Sequence, residues 1–147
     1  MSAPSRSKEA SGLRILAFES SAKAASVAIL QDGALLGEYF QNSGQTHSRT
    51  LMQMAENLLK TCDLEPQNID ACAVADGPGS FTGVRIGVAA AKGFSWGREI
   101  ACYGVSTLEA MARGAAITDG VFCCCMDARR AQVYNAVFEK TGSELVR

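Results

Sequence analysis

Three short apolar blocks open the chain, and each has the length of a strand: Leu13–Glu19, Ala25–Leu30 and Ala34–Gln41. Between the second and third lies Asp32-Gly33, a pair that readily adopts left-handed backbone in a two-residue hairpin turn. The three strands are therefore expected to be antiparallel. The period then changes. Leu51, Met54, Ala55, Leu58, Leu59 and Cys62 recur at helical spacing, which predicts an amphipathic helix over His47–Cys62. Met52 falls off that apolar face and reads as an exposed apolar position, and Pro66 stops any helical continuation.

A second rhythm follows, strand and helix in turn. Ala71–Ala75 fits a buried strand, Val84–Trp96 a helix and Ile100–Val105 another strand. Ser106-Thr107-Leu108-Glu109 fits a capping box and opens a third helix running to about Ala116. Val121–Met126 and Gln132–Phe138 form a strand pair around Asp127–Ala131. The order βββαβαβα describes an α/β fold of the ribonuclease-H-like class. Its mixed sheet is an antiparallel meander extended by parallel strands through crossover helices. Residues 13–116 are expected to form this domain, after a polar, Ser-rich disordered tail at 1–12. Residues 117–147 read as the first hairpin of an incomplete second, similar domain. One hairpin buries no core of its own, so it either docks on the first domain or is poorly ordered.

The join between Ala71–Ala75 and the second helix is the run Asp76-Gly77-Pro78-Gly79-Ser80-Phe81-Thr82-Gly83-Val84-Arg85-Ile86-Gly87. A strand, a Gly/Pro turn and a helix start present unpaired N–H groups with partial positive charge, which suits an anion. Gly79, Ser80 and Thr82 are the phosphate-site candidates; the competing reading is a strained turn. The run lacks the Lys-Ser/Thr of a P-loop, and its glycine spacing does not fit G-x-G-x-x-G. Gly83, Gly87, Ala91 and Ser95 recur every fourth residue, so one helix face is nearly flat. Each interior glycine costs about 0.8–1 kcal/mol relative to alanine, and close approach of another backbone would offset it. That backbone is either the chain's own sheet or a helix of another subunit.

Composition narrows the function. The chain has 147 residues, 48% hydrophobic and 20% charged, with a formal net charge of −1, as expected of a soluble globular protein. Basic residues cluster only at Arg129-Arg130, so the chain alone is not expected to bind nucleic acid tightly. No segment reads as a secretory signal or a membrane span, and a cytoplasmic location is expected. Six cysteines occur without a C-x-x-C pair, and Cys123, Cys124 and Cys125 would alternate between strand faces rather than converge on one metal. They read as buried, reduced thiols. Glu19, His47, Asp76 and Ser80 are the candidates for a catalytic reading, but nothing in their spacing brings them together. No nucleophile elbow surrounds Ser80, and His47 at a helix start reads as a capping or surface residue. No catalytic residue, metal ligand or cofactor is assigned.

Five segments then occur together and in order: Ile15-Leu16-Ala17-Phe18-Glu19-Ser20-Ser21, Gln45-Thr46-His47-Ser48, the Gly77–Gly87 run, Gly104-Val105-Ser106-Thr107-Leu108, and Met126-Asp127-Ala128-Arg129-Arg130. In this the chain closely resembles the bacterial TsaB (YeaZ) family over about Leu13–Phe138. The resemblance implies a non-catalytic member of the actin-like ATPase superfamily. Such a subunit pairs with the catalytic paralogue TsaD and with TsaE, and supports transfer of a threonylcarbamoyl group to the adenosine beside the tRNA anticodon. It also implies a two-domain protein, of which this chain looks like a fragment. Two departures stand out. Glu19-Ser20-Ser21 replaces the usual Asp-Thr-Ser/Ala, and Ser106–Ala110 lacks the His-x-x-x-His metal pair of TsaD. The expectation is a scaffold subunit with an interface on the two helices at Met52, Leu59, Gly83, Gly87 and Ala91. Without TsaD the same surface would form a homodimer. The alternative is a glycoprotease-like metallohydrolase or an ATP-binding actin-like enzyme.

Overall fold

The two rhythms of the sequence separate into two sheets in the structure, a computed structural model describing residues 12–115 and 118–147. All but the last residue of the expected 1–12 tail lies outside the described residues, as does the expected boundary at 116–117. The first sheet contains β1 (Arg14–Glu19), β2 (Ala25–Gln31), β3 (Ala34–Gln41), β4 (Ala71–Gly77) and β5 (Ala101–Ser106) in the order β3-β2-β1-β4-β5. β1, β2 and β3 are antiparallel neighbours, whereas β4 runs parallel to β1 and β5 parallel to β4. The β2–β3 turn uses Asp32 at φ 52° and Gly33 at φ 81°, as the Asp-Gly pair requires. This is the mixed sheet of the ribonuclease-H-like, actin-like fold.

The parallel neighbours are reached through α1 (His47–Thr61) and α2 (Phe81–Trp96). Strand alternation sends Leu16, Phe18, Val27, Ile29 and Val74 into the core formed with Leu51, Ala55 and Leu58 of α1 and Ala91 and Phe94 of α2. α1 ends at Thr61, before Pro66, which instead begins a short 3-10 turn at Pro66–Asn68. α2 begins three residues before the expected Val84, because the Ser80 hydroxyl accepts a hydrogen bond from the Gly83 N–H at 3.2 Å.

α3 (Thr107–Ala115) joins the two sheets. The Glu109 N–H donates to Ser106 Oγ at 3.4 Å, the forward half of the expected capping box. The Glu109 carboxylate pairs with Arg113 at 2.8 Å, one turn further along the helix. Beyond α3, the expected hairpin is a three-stranded antiparallel sheet: β6 (Gly120–Arg129), β7 (Gln132–Thr141) and β8 (Glu144–Val146). Its added strand turns back at Gly142, φ 60°. This sheet docks on α3, burying Cys124, Ala136 and Phe138 against Leu108 and Ala112. Among the described residues no helix is long and apolar enough to cross a membrane.

Candidate functional site

The start of α2 is built directly onto the loop that leaves β1. Ser20 Oγ donates to the Gly83 carbonyl at 2.9 Å, and the Ser80 N–H donates to the Ser21 carbonyl at 2.6 Å. A Cβ on Gly79 would lie 2.5 Å from the Ser21 carbonyl oxygen, and one on Gly83 would run into that of Ser20. On Gly87 it would lie 2.5 Å from Ser20 Oγ and 3.4 Å from Val74 Cγ2. The small-residue face of α2 therefore packs on the chain's own β1 loop and β4. This corrects the expectation that Gly83, Gly87 and Ala91 are offered to a partner: all three are buried within the chain. Leu59 is buried in the same core for a related reason, since it lies on the apolar face of α1. Of the five expected interface positions only Met52 is exposed, at 38%.

What remains open beside α2 is a cleft of about 850 Å³ between the two sheets. Ser21, Lys23, Gly79, Ser80 and Thr82 form one wall, and Met126, Asp127, Arg129 and Tyr134 the other. The N-terminal end of the α2 dipole, Lys23 and Arg129 bring positive charge to this space, and the Asp127 carboxylate offsets part of it. Ser21 borders the cleft, and its Oγ is buried without a hydrogen-bond partner among the described residues. Ser80 is less free, because its hydroxyl already caps the helix. Across the cleft, the Arg129 N–H donates to Asp127 Oδ1 at 2.7 Å. Gly79, Ser80 and Thr82 were legible as an anion site; Ser21, Lys23 and Arg129 were not. Their meeting depends on β6 folding back over α3, about a hundred residues along the chain.

The candidates for a catalytic reading are separately engaged. Glu19 Oε1 accepts the Ser21 N–H at 2.5 Å, holding the β1–β2 loop. His47 Nε2 is hydrogen-bonded to the Ala22 carbonyl at 2.9 Å, tying the start of α1 to the same loop. Asp76 is exposed at the end of β4, where its carboxylate occupies the space a side chain on Gly104 would need.

A second surface lies between α1 and α2. A groove of about 210 Å³ is lined by Met52, Glu56, Pro66, Gly93 and Arg98, with the buried Ala55, Leu59 and Phe94 at its floor. Nothing lies within 4 Å of the place a Cβ on Gly93 would take, so here the backbone of α2 is open to solvent. The Arg98 guanidinium stacks on the Phe94 ring at 3.9 Å and closes one end. The helical spacing marked Met52 as an exposed apolar position.

Comparison with known proteins adds an independent line. The family model described as "TsaD: tRNA N6-adenosine threonylcarbamoyltransferase" matches residues 37–146. The "tRNA threonylcarbamoyladenosine biosynthesis protein TsaB" of Bacillus subtilis is 38% identical over 127 residues, 86% of this chain and 56% of that protein. The protein of the same name from Escherichia coli is 38% identical over 130 residues, 87% of this chain and 56% of that protein. The solved structure "YeaZ from Pseudomonas aeruginosa" superposes with a TM-score of 0.84 at 29% identity, covering 91% of this chain and 63% of that one. The chain thus spans a little over half the length of these curated relatives.

Proposed function

As the chain belongs to the TsaD family of tRNA N6-adenosine threonylcarbamoyltransferases, on its TsaB (YeaZ) branch, we propose that it acts in N6-threonylcarbamoyladenosine formation as a non-catalytic scaffold subunit. In this reading it pairs with TsaD, works with TsaE in the cytoplasm, and self-associates when TsaD is absent. The similarity to proteins named for threonylcarbamoyladenosine biosynthesis supports the process. The observation that carries the scaffold role is the open α1–α2 groove, where Met52 and the bare backbone at Gly93 leave room for an approaching helix. Leu59 and Ala91 lie in the core that the two helices share, whereas Gly83 and Gly87 hold α2 on the β1 loop and β4.

The test is co-expression with the cognate TsaD followed by size exclusion, together with restoration of the modified nucleoside in cells depleted of their own TsaB. Co-elution and restored modification are the expected results. Failure of both with a folded chain would sink the proposal.

A second reading follows from the cleft. The α2 N-terminus, Lys23, Arg129 and the unpartnered Ser21 hydroxyl favour binding of a phosphate-bearing ligand, with Gly79, Ser80 and Thr82 at the helix end. Calorimetry with ATP and with inorganic phosphate tests it. Binding of ATP that weakens at least tenfold on Arg129→Glu would favour the actin-like ATP-binding alternative; no binding of either probe would leave the scaffold reading alone.

A further inference from the structure

β6 carries a pair of thiols that none of the functional readings uses. Cys124 points into the small core against α3, so strand alternation turns Cys123 and Cys125 together to the opposite, solvent-facing side. Both are free and exposed, and their sulfurs lie 3.6 Å apart. This corrects the expectation of uniformly buried thiols, and it revises the metal argument. Alternation prevents three sulfurs from converging, but it places two of them side by side.

The spacing selects among the chemistries open to two thiols. Positions two apart on a strand have Cα atoms about 6.6–6.8 Å apart, at the outer limit of what a disulfide spans and with Cβ atoms too distant for its usual geometry. A tetrahedral ion with metal–sulfur bonds of about 2.3 Å instead holds its two sulfurs about 3.8 Å apart. The observed separation is close to that value. The register adds charge of the right sign. Asp127 follows Cys125 on the same face, and Glu139 stands opposite Val121 at the other end of it. These carboxylates favour a cation, while the Arg129 and Arg130 cations lie beyond Asp127 in the β6–β7 turn.

We propose that Cys123 and Cys125 form a bidentate site for a thiophilic centre, a soft d10 cation such as Zn²⁺ or Cd²⁺, whose remaining positions are filled by water or by a partner's donors. Each thiol must lose its proton to bind, so one bound cation releases two protons. A trivalent arsenical probes the same geometry without redox chemistry. In phenylarsine oxide two arsenic–sulfur bonds form, the arsenic–oxygen bond breaks, and the oxygen leaves as water with both thiol protons.

The test uses the reduced chain under anaerobic conditions. One equivalent of phenylarsine oxide should remove two titratable thiols, and Cd²⁺ should develop sulfur-to-metal charge-transfer absorption. Cys123→Ser and Cys125→Ser should each abolish the paired loss and weaken Cd²⁺ binding by about 100-fold or more, since chelation becomes single attachment. Both substitutions are exposed and conservative, and unchanged thermal unfolding confirms an intact fold. Cys62→Ser should leave both readouts unaltered. Single-serine variants that titrate like the parent chain would overturn the proposal. So would an air-exposed chain that loses two hydrogens in intact mass, requires both cysteines to do so, and no longer takes up the arsenical.

Discussion

The Ser20 hydroxyl reaches the Gly83 carbonyl at 2.9 Å, and with the Ser80–Ser21 hydrogen bond it locks the first turn of α2 onto the loop that leaves β1. A methyl group on Gly83 would collide with the Ser20 backbone rather than with a movable side chain. Gly83→Ala is therefore expected to lower stability by about 2–3 kcal/mol, the overpacking penalty outweighing the gain in helix propensity. Gly93→Ala provides the contrast, because nothing lies within 4 Å of the added carbon. It should raise stability by about 0.8–1 kcal/mol. Urea midpoints of the two variants should move in opposite directions; a shift of the same sign would refute this account of the α2 glycines.

The Ser80 cap is the second element of that joint. Its hydroxyl satisfies the Gly83 N–H, one of the first N–H groups of α2 that has no intrahelical partner. Ser80→Ala should cost about 1 kcal/mol, and Ser80→Asp should recover most of it by restoring an acceptor and adding a charge that suits the helix dipole. Denaturant unfolding of the three chains checks the order.

The interface reading makes a prediction that stability alone cannot mimic. Met52 is exposed and the groove beside Gly93 is open, so Met52→Asp and Gly93→Leu should leave the unfolding midpoint within about 0.5 kcal/mol, apart from the helix-propensity gain at Gly93. Both should weaken co-elution with TsaD at least tenfold. Retained association by both variants would move the partner surface away from the α1–α2 groove.

Much of this architecture was readable in the chain because local signals agreed with the final packing. Asp32-Gly33 imposed the hairpin, the spacing from Leu51 to Cys62 imposed α1, and the break at Gly77–Gly79 marked where β4 hands over to α2. What was not readable depends on contacts distant in sequence. A stripe of four small residues, two of them glycine, has the same appearance whether it meets the chain's own loop or another molecule, and only the position of Ser20 decides it. Leu59 lies on the apolar face of α1, and the packing of that face on the sheet leaves it at the floor of the groove rather than on the surface. The cleft needs Ser21 and Arg129 on facing walls, a relation set by the docking of β6 and β7 on α3. β8 was missed because three residues are too few to show a period.

The β6–β7 turn carries strain that a substitution can release. Arg129, Arg130 and Ala131 have φ of 65°, 53° and 58°, a left-handed run with no glycine in it. L-residues other than Gly, Asn and Asp reach this region at a cost of roughly 1–2 kcal/mol each. Ala131→Gly should therefore stabilise the chain by about 0.5–1 kcal/mol, the relief being partly offset by the greater freedom of glycine in the unfolded state. A higher thermal midpoint is the expected readout, and a lower one would mean that the turn is held without strain.

Cys72 offers a test in which the pH dependence carries the information. It lies in β4, an interior strand of the first sheet, fully buried, and burial raises its thiol above the ordinary value of 9.0. In the unfolded chain the same thiol ionises at its ordinary value, so between the two values the unfolded state holds fewer protons than the folded one. Stability therefore contains a contribution that is complete below the ordinary thiol pKa and is lost as pH climbs through the raised folded value. The chain should lose stability more steeply than Cys72→Val between about pH 8 and 10, whatever offset the valine introduces at neutral pH. Other alkaline titrations are common to both proteins and cancel in the difference of slopes. Two parallel pH profiles would mean that the Cys72 thiol ionises alike in both states, and that water reaches it near the start of β4.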